Sequence, residues 1–208
     1  MNFNFIKVLI ALVVLAGWVN PARCAEVTNA SRTKALFSEA WRFHLGEKEG
    51  AEKAGFDDSA WRTLDVPHDW SIELPYDPNM SGGSAVAYFP GGIGWYRKSF
   101  TLPKSDIGKV IAIDFDGVYM DSQVWINGHL LGRLPNGYLG FRYDLTPYLK
   151  FGEEKNHISV RVNVETNGTR WYPGAGIYRN VWLTTMNPIH VAHWGTYVTT
   201  PEVSKRLS

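Results

Sequence analysis

The 208-residue chain has one cysteine, Cys24. A disulfide within the chain is therefore impossible, and a multi-thiolate metal site is excluded with it. Charge of one sign is also missing: Lys+Arg number 21 against 20 Asp+Glu, a formal net charge of +1. No basic run steers the chain toward nucleic acid or an anionic membrane. The six histidines are scattered, with no His-Glu-x-x-His spacing, and no glycine loop has the phosphate-binding pattern. Metal and nucleotide chemistry thus have no motif, and no cofactor is expected. Nothing between Trp18 and Ser208 forms an apolar run long enough to cross a bilayer, which takes about 20 residues.

One apolar stretch does exist, at the start. "MNFNFIKVLIALVVLAGWVNPARCAE" places Lys7 ahead of an apolar run from Val8 to Val19, which Pro21 interrupts. Ala22 and Cys24 have the small-residue spacing that a signal peptidase reads, so residues 1–24 are expected to be a signal peptide cleaved after Cys24. The alternative is a lipoprotein signal acylated at Cys24, which Arg23 disfavours. Either way the chain is predicted to be exported, to a periplasm or the cell exterior. The mature protein then carries no transmembrane segment and, after cleavage behind Cys24, no cysteine.

Aromatic residues make up 14% of the chain, and glycine contributes 20 residues. That mixture suits short strands joined by turns. Residues 25–40 are polar and without period, and read as an N-terminal arm. From Trp41 onward the period is two. In "KVIAIDF", Ile111, Ile113 and Phe115 share one face. In "HISVRVNV", Ile158, Val160, Val162 and Val164 share another, opposite Ser159, Arg161 and Asn163. "VWINGHLL" contains Asn127-Gly128, the pair that a two-residue type I′ hairpin requires. "WRFHLG", "WRTLDVP", "WYRKSFTL", "GYLGFRYDLT", "RNVWLTT" and "IHVAHWGTYVTT" complete about ten predicted strands, an all-β antiparallel sandwich over 41–200. "EKEGAEKAGFDDSAW" reads as a charged surface loop, and Ser71 to Gly94 as one long Gly/Pro loop of the kind that usually serves function.

Residues able to do chemistry are few. Glycoside hydrolysis needs two carboxyl groups about 5–5.5 Å apart in retaining enzymes. Asp57-Asp58 and Glu153-Glu154 read as solvated neighbours. Asp114 and Asp116 share a strand face, and a turn bonding backbone amides accounts for Asp116. No catalytic residue is assigned. His68-Asp69 either performs acid–base work or, as we prefer, forms a strand-end turn with Asp69 capping backbone N–H groups and His68 packed near Trp70. Binding remains. "TRWYPGAG" sets Arg170, a planar five-donor fork, beside the aromatic faces of Trp171 and Tyr172 on a glycine turn. Arg170 is equally compatible with a surface ion pair, whereas Trp95 reads as core.

Five motifs in order, "VPHDWSIE", "GGIGWYRKSF", "IDFDGVYMDSQVWINGHLLG", "FRYDLTPYL" and "RWYPGAGIYRNVWL", resemble the N-terminal sugar-binding domain of glycoside hydrolase family 2, in its β-galactosidase-like branch. The similarity runs from about Ala40 to Thr200. It implies a jelly-roll sandwich like other galactose-binding domains, followed in the family by an immunoglobulin-like domain and a (β/α)8 barrel that carries both catalytic glutamates. Those domains are the implied partners, and a β-glycoside or oligosaccharide is the implied substrate. Residues 201–208 then read as a linker cut short, and the chain alone is expected to be inactive. By position, the resemblance makes Arg170 and Trp171 substrate-binding residues, with Tyr172, Asp69 and His68 at the pocket rim. Some relatives carry an Asp in this loop that is absent here. The alternatives are a stand-alone carbohydrate-binding module and a partner-docking sandwich without catalysis.

Overall fold

The computed structural model describes residues 31–79, 83–164 and 174–202, all within the unit Ser31–Ser208. The residues of the predicted signal peptide, and of the arm up to Ala30, lie outside them. Among the described residues there are ten strands and no α-helix. They are β1 Arg32–Leu36, β2 Trp41–Leu45, β3 Arg62–Leu64, β4 Ile93–Phe100, β5 Val110–Phe115, β6 Ser122–Ile126, β7 His129–Leu134, β8 Phe141–Asp144, β9 Asn156–Asn163 and β10 Val181–Met186. They form two antiparallel sheets, one in the order β1-β10-β5-β8 and the other β3-β2-β4-β9-β6-β7. A single apolar core fills the space between them.

The period-two pattern decides which residues enter that core. Ile158, Val160 and Val162 of β9 are fully buried beside Val124 and Ile126 of β6, facing Ile113 and Phe115 of β5. Each such side chain contributes about 1.5–3 kcal/mol by leaving water. The β6–β7 hairpin turns on Asn127 (φ 50°) and Gly128 (φ 86°), the two positive values that type I′ demands. The Asn127 side chain secures the turn: its Nδ2 donates to Tyr148 O at 2.8 Å, and its Oδ1 accepts from the His157 N–H at 2.8 Å.

Two segments depart from expectation. Residues 32–36, read as part of an arm, form β1, paired along its length with β10. Every residue of β1 is exposed, so no apolar alternation marks it; its backbone ladder holds it, and Arg32 and Lys34 guard the edge. Residues 189–200, read as a strand, pair with none of the described strands. Pro188, lacking an N–H, follows closely on the end of β10 at Met186.

The outer face of the six-stranded sheet is also covered. The loop read as solvated folds onto it around Arg97, which is 1% exposed. Arg97 Nε donates to Asp58 Oδ2 at 2.8 Å, and Nη1 donates to Ser159 Oγ at 2.8 Å and to the carbonyls of Ala51 and Lys53. Asp58 is therefore the counter-ion of a buried guanidinium rather than a solvated surface charge. Beside it Trp95 stacks on Trp125 and donates its indole N–H to Glu47 Oε1 at 2.8 Å, as a core residue. On the other sheet Asp114 accepts a two-pronged bond from Arg142 and a third from Thr184 Oγ1, while Asp116 accepts the Trp182 indole N–H. Asp116 thus bonds an indole where backbone amides were expected.

Where β2 and β4 meet the 3-10 turn Trp70–Glu73, His68 lies edge-on to Phe43 at 4.6 Å, and its Nδ1 is 2.7 Å from Tyr96 Oη. Its Nε2 faces Glu73 Oε1 at 3.4 Å, and Glu73 receives both prongs of Arg62. Burial lowers the His68 pKa below its ordinary 6.5, outweighing the opposing pull of Glu73. Arg62 holds the Glu73 carboxyl at about 2. That pair is solvent-facing, so screening keeps its worth to about 1 kcal/mol or less.

Two predictions follow from this packing. A Cβ on Gly94 would stand 2.5 Å from Trp70 Cζ3, whereas one on Gly55 meets nothing within 4 Å. Gly94→Ala should cost about 1–3 kcal/mol through overpacking, and Gly55→Ala should be near neutral. Calorimetric melting of the two variants checks this; equal melting temperatures would contradict the Trp70 contact. Separately, unfolded His68 takes its proton near 6.5 while the folded ring resists, so stability is full above that pH and declines below it. The Glu73 contribution follows, full above 4.5 and lost as pH falls toward 2. The difference between wild-type and His68→Asn melting curves should therefore change between pH 7 and 5; a constant offset would remove His68 from the acid response.

Candidate functional site

Arg170, Trp171 and Tyr172 lie outside the described residues, in 165–173. Both ends of that segment are described, and they come to one place. At the entry, Asn163 N donates to Met120 O at 3.0 Å and Val164 N to Gly92 O at 2.8 Å. At the exit, Gly176 forms a reciprocal pair of backbone bonds with Tyr119, 2.9 and 2.8 Å, while His68 N and Trp70 N donate to Ile177 O and Ala175 O. The long Gly/Pro loop, the His68–Trp70 turn and the Tyr119 segment therefore surround the two feet of the predicted sugar loop.

Asp69 is the side chain that joins them. Its Oδ1 accepts from Ser71 N (2.9 Å), Ser71 Oγ (2.5 Å) and, 106 residues away, Ala175 N (3.0 Å). The first bond caps the 3-10 turn Trp70–Glu73, as expected of this residue; Asp69 itself is extended, φ −131° and ψ 107°. The second carboxylate oxygen faces Gly174, where a Cβ would stand 3.2 Å from it. Gly176 is more constrained still. Its φ is +128°, and a Cβ there would come within 2.2 Å of Tyr96 Oη and 2.6 Å of His68 O. Only glycine lets the chain pass this close to the buried tyrosine.

His68 supports this arrangement from behind. It is 9% exposed, and both ring nitrogens face neighbours, Tyr96 and Glu73, rather than solvent. Its packing partners are Phe43 and Tyr96, and Trp70 stacks on the same Phe43 at 5.7 Å. Asp69 itself is only half-buried. Beyond Gly174 stand Tyr119 and the turn Asn136–Leu139, which the sequence reading did not single out. The only signal there was an aromatic in a Pro-Asn-Gly turn, which ordinarily means nothing more than a loop.

Such a site offers hydrogen-bond acceptors and aromatic surface beside the bonded flanks of segment 165–173. It is suited to recognition. The paired carboxylates Asp114 and Asp116 are engaged elsewhere, by Arg142, Thr184 and Trp182. Among the described residues, no group of three or more His, Cys, Asp or Glu is arranged to hold a metal ion.

Comparison with known proteins agrees with the fold and the motifs. Residues 36–187 match the model of the glycosyl hydrolases family 2 sugar binding domain. The chain is 53% identical over 176 residues to a β-galactosidase of Bacteroides ovatus, covering 84% of this chain and 21% of that protein. Among solved structures it resembles a glycosyl hydrolase family 2 member from Bacteroides cellulosilyticus (43% identity, TM-score 0.77, 81% of this chain and 22% of that one). It also resembles a β-glucuronidase of glycoside hydrolase family 2 (35% identity, TM-score 0.74, 86% of this chain and 21% of that one). The chain thus spans about a fifth of the length of the relatives it matches. It belongs to the sugar-binding domain family of glycosyl hydrolases family 2.

Proposed function

We propose that the chain is the sugar-binding domain of an exported β-glycosidase, acting in carbohydrate catabolism on terminal β-galactosides or related β-glycosides. Hydrolysis would require the remaining domains of a longer enzyme, an immunoglobulin-like domain and a (β/α)8 barrel with the catalytic glutamates; this chain would supply one wall of the sugar site. In this reading the sandwich is a jelly roll, residues 1–24 are an export signal, and Arg170 and Trp171 contact the sugar, with Tyr172 and Asp69 at the rim and His68 behind Asp69. The observation that supports it most is the anchoring of residues 163–164 and 175–177, on either side of segment 165–173. Asp69 bonds Ala175 and Ser71 through one oxygen and leaves the other facing the loop exit.

A second reading, a partner-docking sandwich, draws on a different feature. Ile189, Val191, Trp194, Tyr197 and Val198 are between 62% and 93% exposed, an apolar stretch that suits burial against another surface. In the leading reading, the rest of the same enzyme covers it.

Calorimetric titration of the chain with methyl β-D-galactopyranoside tests the binding claim. One wall of a pocket lacks most of the contacts that enclose a ligand, so a dissociation constant of about millimolar is expected. Arg170→Ala should weaken binding about ten- to hundredfold, the worth of charged hydrogen bonds; unchanged affinity would remove Arg170 from the site. Asp69→Ala should weaken binding while Asp69→Asn, which keeps an Oδ1 acceptor, largely preserves it; equal losses would show that the anchor is not the reason. Turnover of an aryl β-galactoside by this chain alone would contradict the placement of the catalytic groups in other domains. Export is checked by the mature N-terminus, expected at Ala25.

A further inference from the structure

We propose that Tyr138 is an aromatic platform for a pyranose ring, a sugar contact outside segment 165–173. The proposal rests on the sugar-binding reading above and adds to it a residue that the loop analysis does not reach.

Tyr138 is 58% exposed, yet its backbone is pinned from several sides. Asn136 Oδ1 accepts from Tyr138 N at 2.7 Å and from Leu139 N at 3.1 Å, closing the turn. Tyr178 Oη donates to Gly137 O at 2.9 Å. The Tyr119 ring occupies the space where a Cβ on Gly137 would lie, 2.4 Å from Tyr119 Cδ2, so the turn sits directly on that ring. Tyr138 then meets Tyr119 edge-to-face, ring centres 5.5 Å apart at 70°. Burial and the neighbouring Tyr138 push the Tyr119 hydroxyl up to about 12, so it remains a neutral donor at physiological pH. Since Tyr119 is bonded twice to Gly176, the platform is rigidly placed relative to Asp69.

An exposed aromatic is common on any surface. One held in a single orientation loses little entropy on binding, which is what makes it useful for recognition. The chemistry around it is that of a sugar contact. A cleft of about 370 Å³ is lined by Tyr119, Met120, Pro135, Asn136, Gly137 and Tyr138. Gly174 stands between this group and the acid: a Cβ there would be 3.7 Å from Tyr119 Cβ and 3.2 Å from Asp69 Oδ2. A pyranose presents an apolar C–H face and an equatorial rim of hydroxyls. The ring face of Tyr138 suits the first.

The test is NMR titration of the chain, ring-labelled at tyrosine, with methyl β-D-galactopyranoside. Tyr138 ring resonances should shift with the sugar's own binding curve and show contacts to its C–H protons. Tyr138→Ala and Tyr138→Leu should each weaken binding about tenfold, the worth of an aromatic contact. Tyr138→Phe and Tyr138→Trp should retain it. Amide spectra of β9 report whether each variant keeps the fold, and the wild-type ring shifts decide the matter even if one variant does not. Wild-type binding with no Tyr138 ring shift, or with the Leu variant as tight as wild type, overturns the platform while leaving the sugar-binding reading intact. No wild-type binding at saturating sugar overturns both.

Discussion

One carboxylate oxygen organises the end of the sandwich where the candidate site lies. Asp69 Oδ1 takes the N–H of Ser71, two residues on, and the N–H of Ala175, from the far end of the fold. The first bond sets the turn that follows the strand end; the second holds Ala175, just beyond segment 165–173, against that turn. Gly176 makes the approach possible, since a side chain there would strike Tyr96 and the His68 carbonyl. Behind them the buried Phe43, Tyr96 and Trp70 resist movement because each is packed against the others. The position of the site is thus a consequence of the core, transmitted through one acid and one glycine.

The remaining polar groups divide between holding the sandwich together and facing outward. Arg97 clamps the loop over the outer face of the larger sheet through Asp58 and two backbone carbonyls. A guanidinium so fully buried is tolerated only because these acceptors meet it. Arg142 and Asp114 join β8 to β5, and Thr184 adds β10 to the same acid. These charges are structural, engaged within the sandwich.

Much of the fold was visible in the sequence because its signals are local. The Ile158–Val162 alternation and the Asn127-Gly128 turn each lie within a few residues, and both became the elements they indicated. The strand β1 was not visible, since an edge strand exposed on every residue carries no apolar period. Residues 189–200 carried a false signal, apolar residues without a sheet to receive them. Of the site, the capping role of Asp69 was readable from Ser71 two positions later. Its bond to Ala175 spans 106 residues, and no pattern in a single sequence encodes such a pairing. Asp58 failed for the same reason, its partner Arg97 lying 39 residues away. Tyr138 looked like an ordinary turn residue because its rigidity comes from Tyr119 and Tyr178, which only folding brings near.

The central proposal is that this end of the sandwich receives a sugar. The most direct measurement is an amide shift map of the chain saturated with methyl β-D-galactopyranoside. The account predicts that the perturbed amides cluster at Ser71, Gly174, Ala175 and Tyr138. A cluster on the outer face of the smaller sheet, around Arg142 and Trp182, would contradict it.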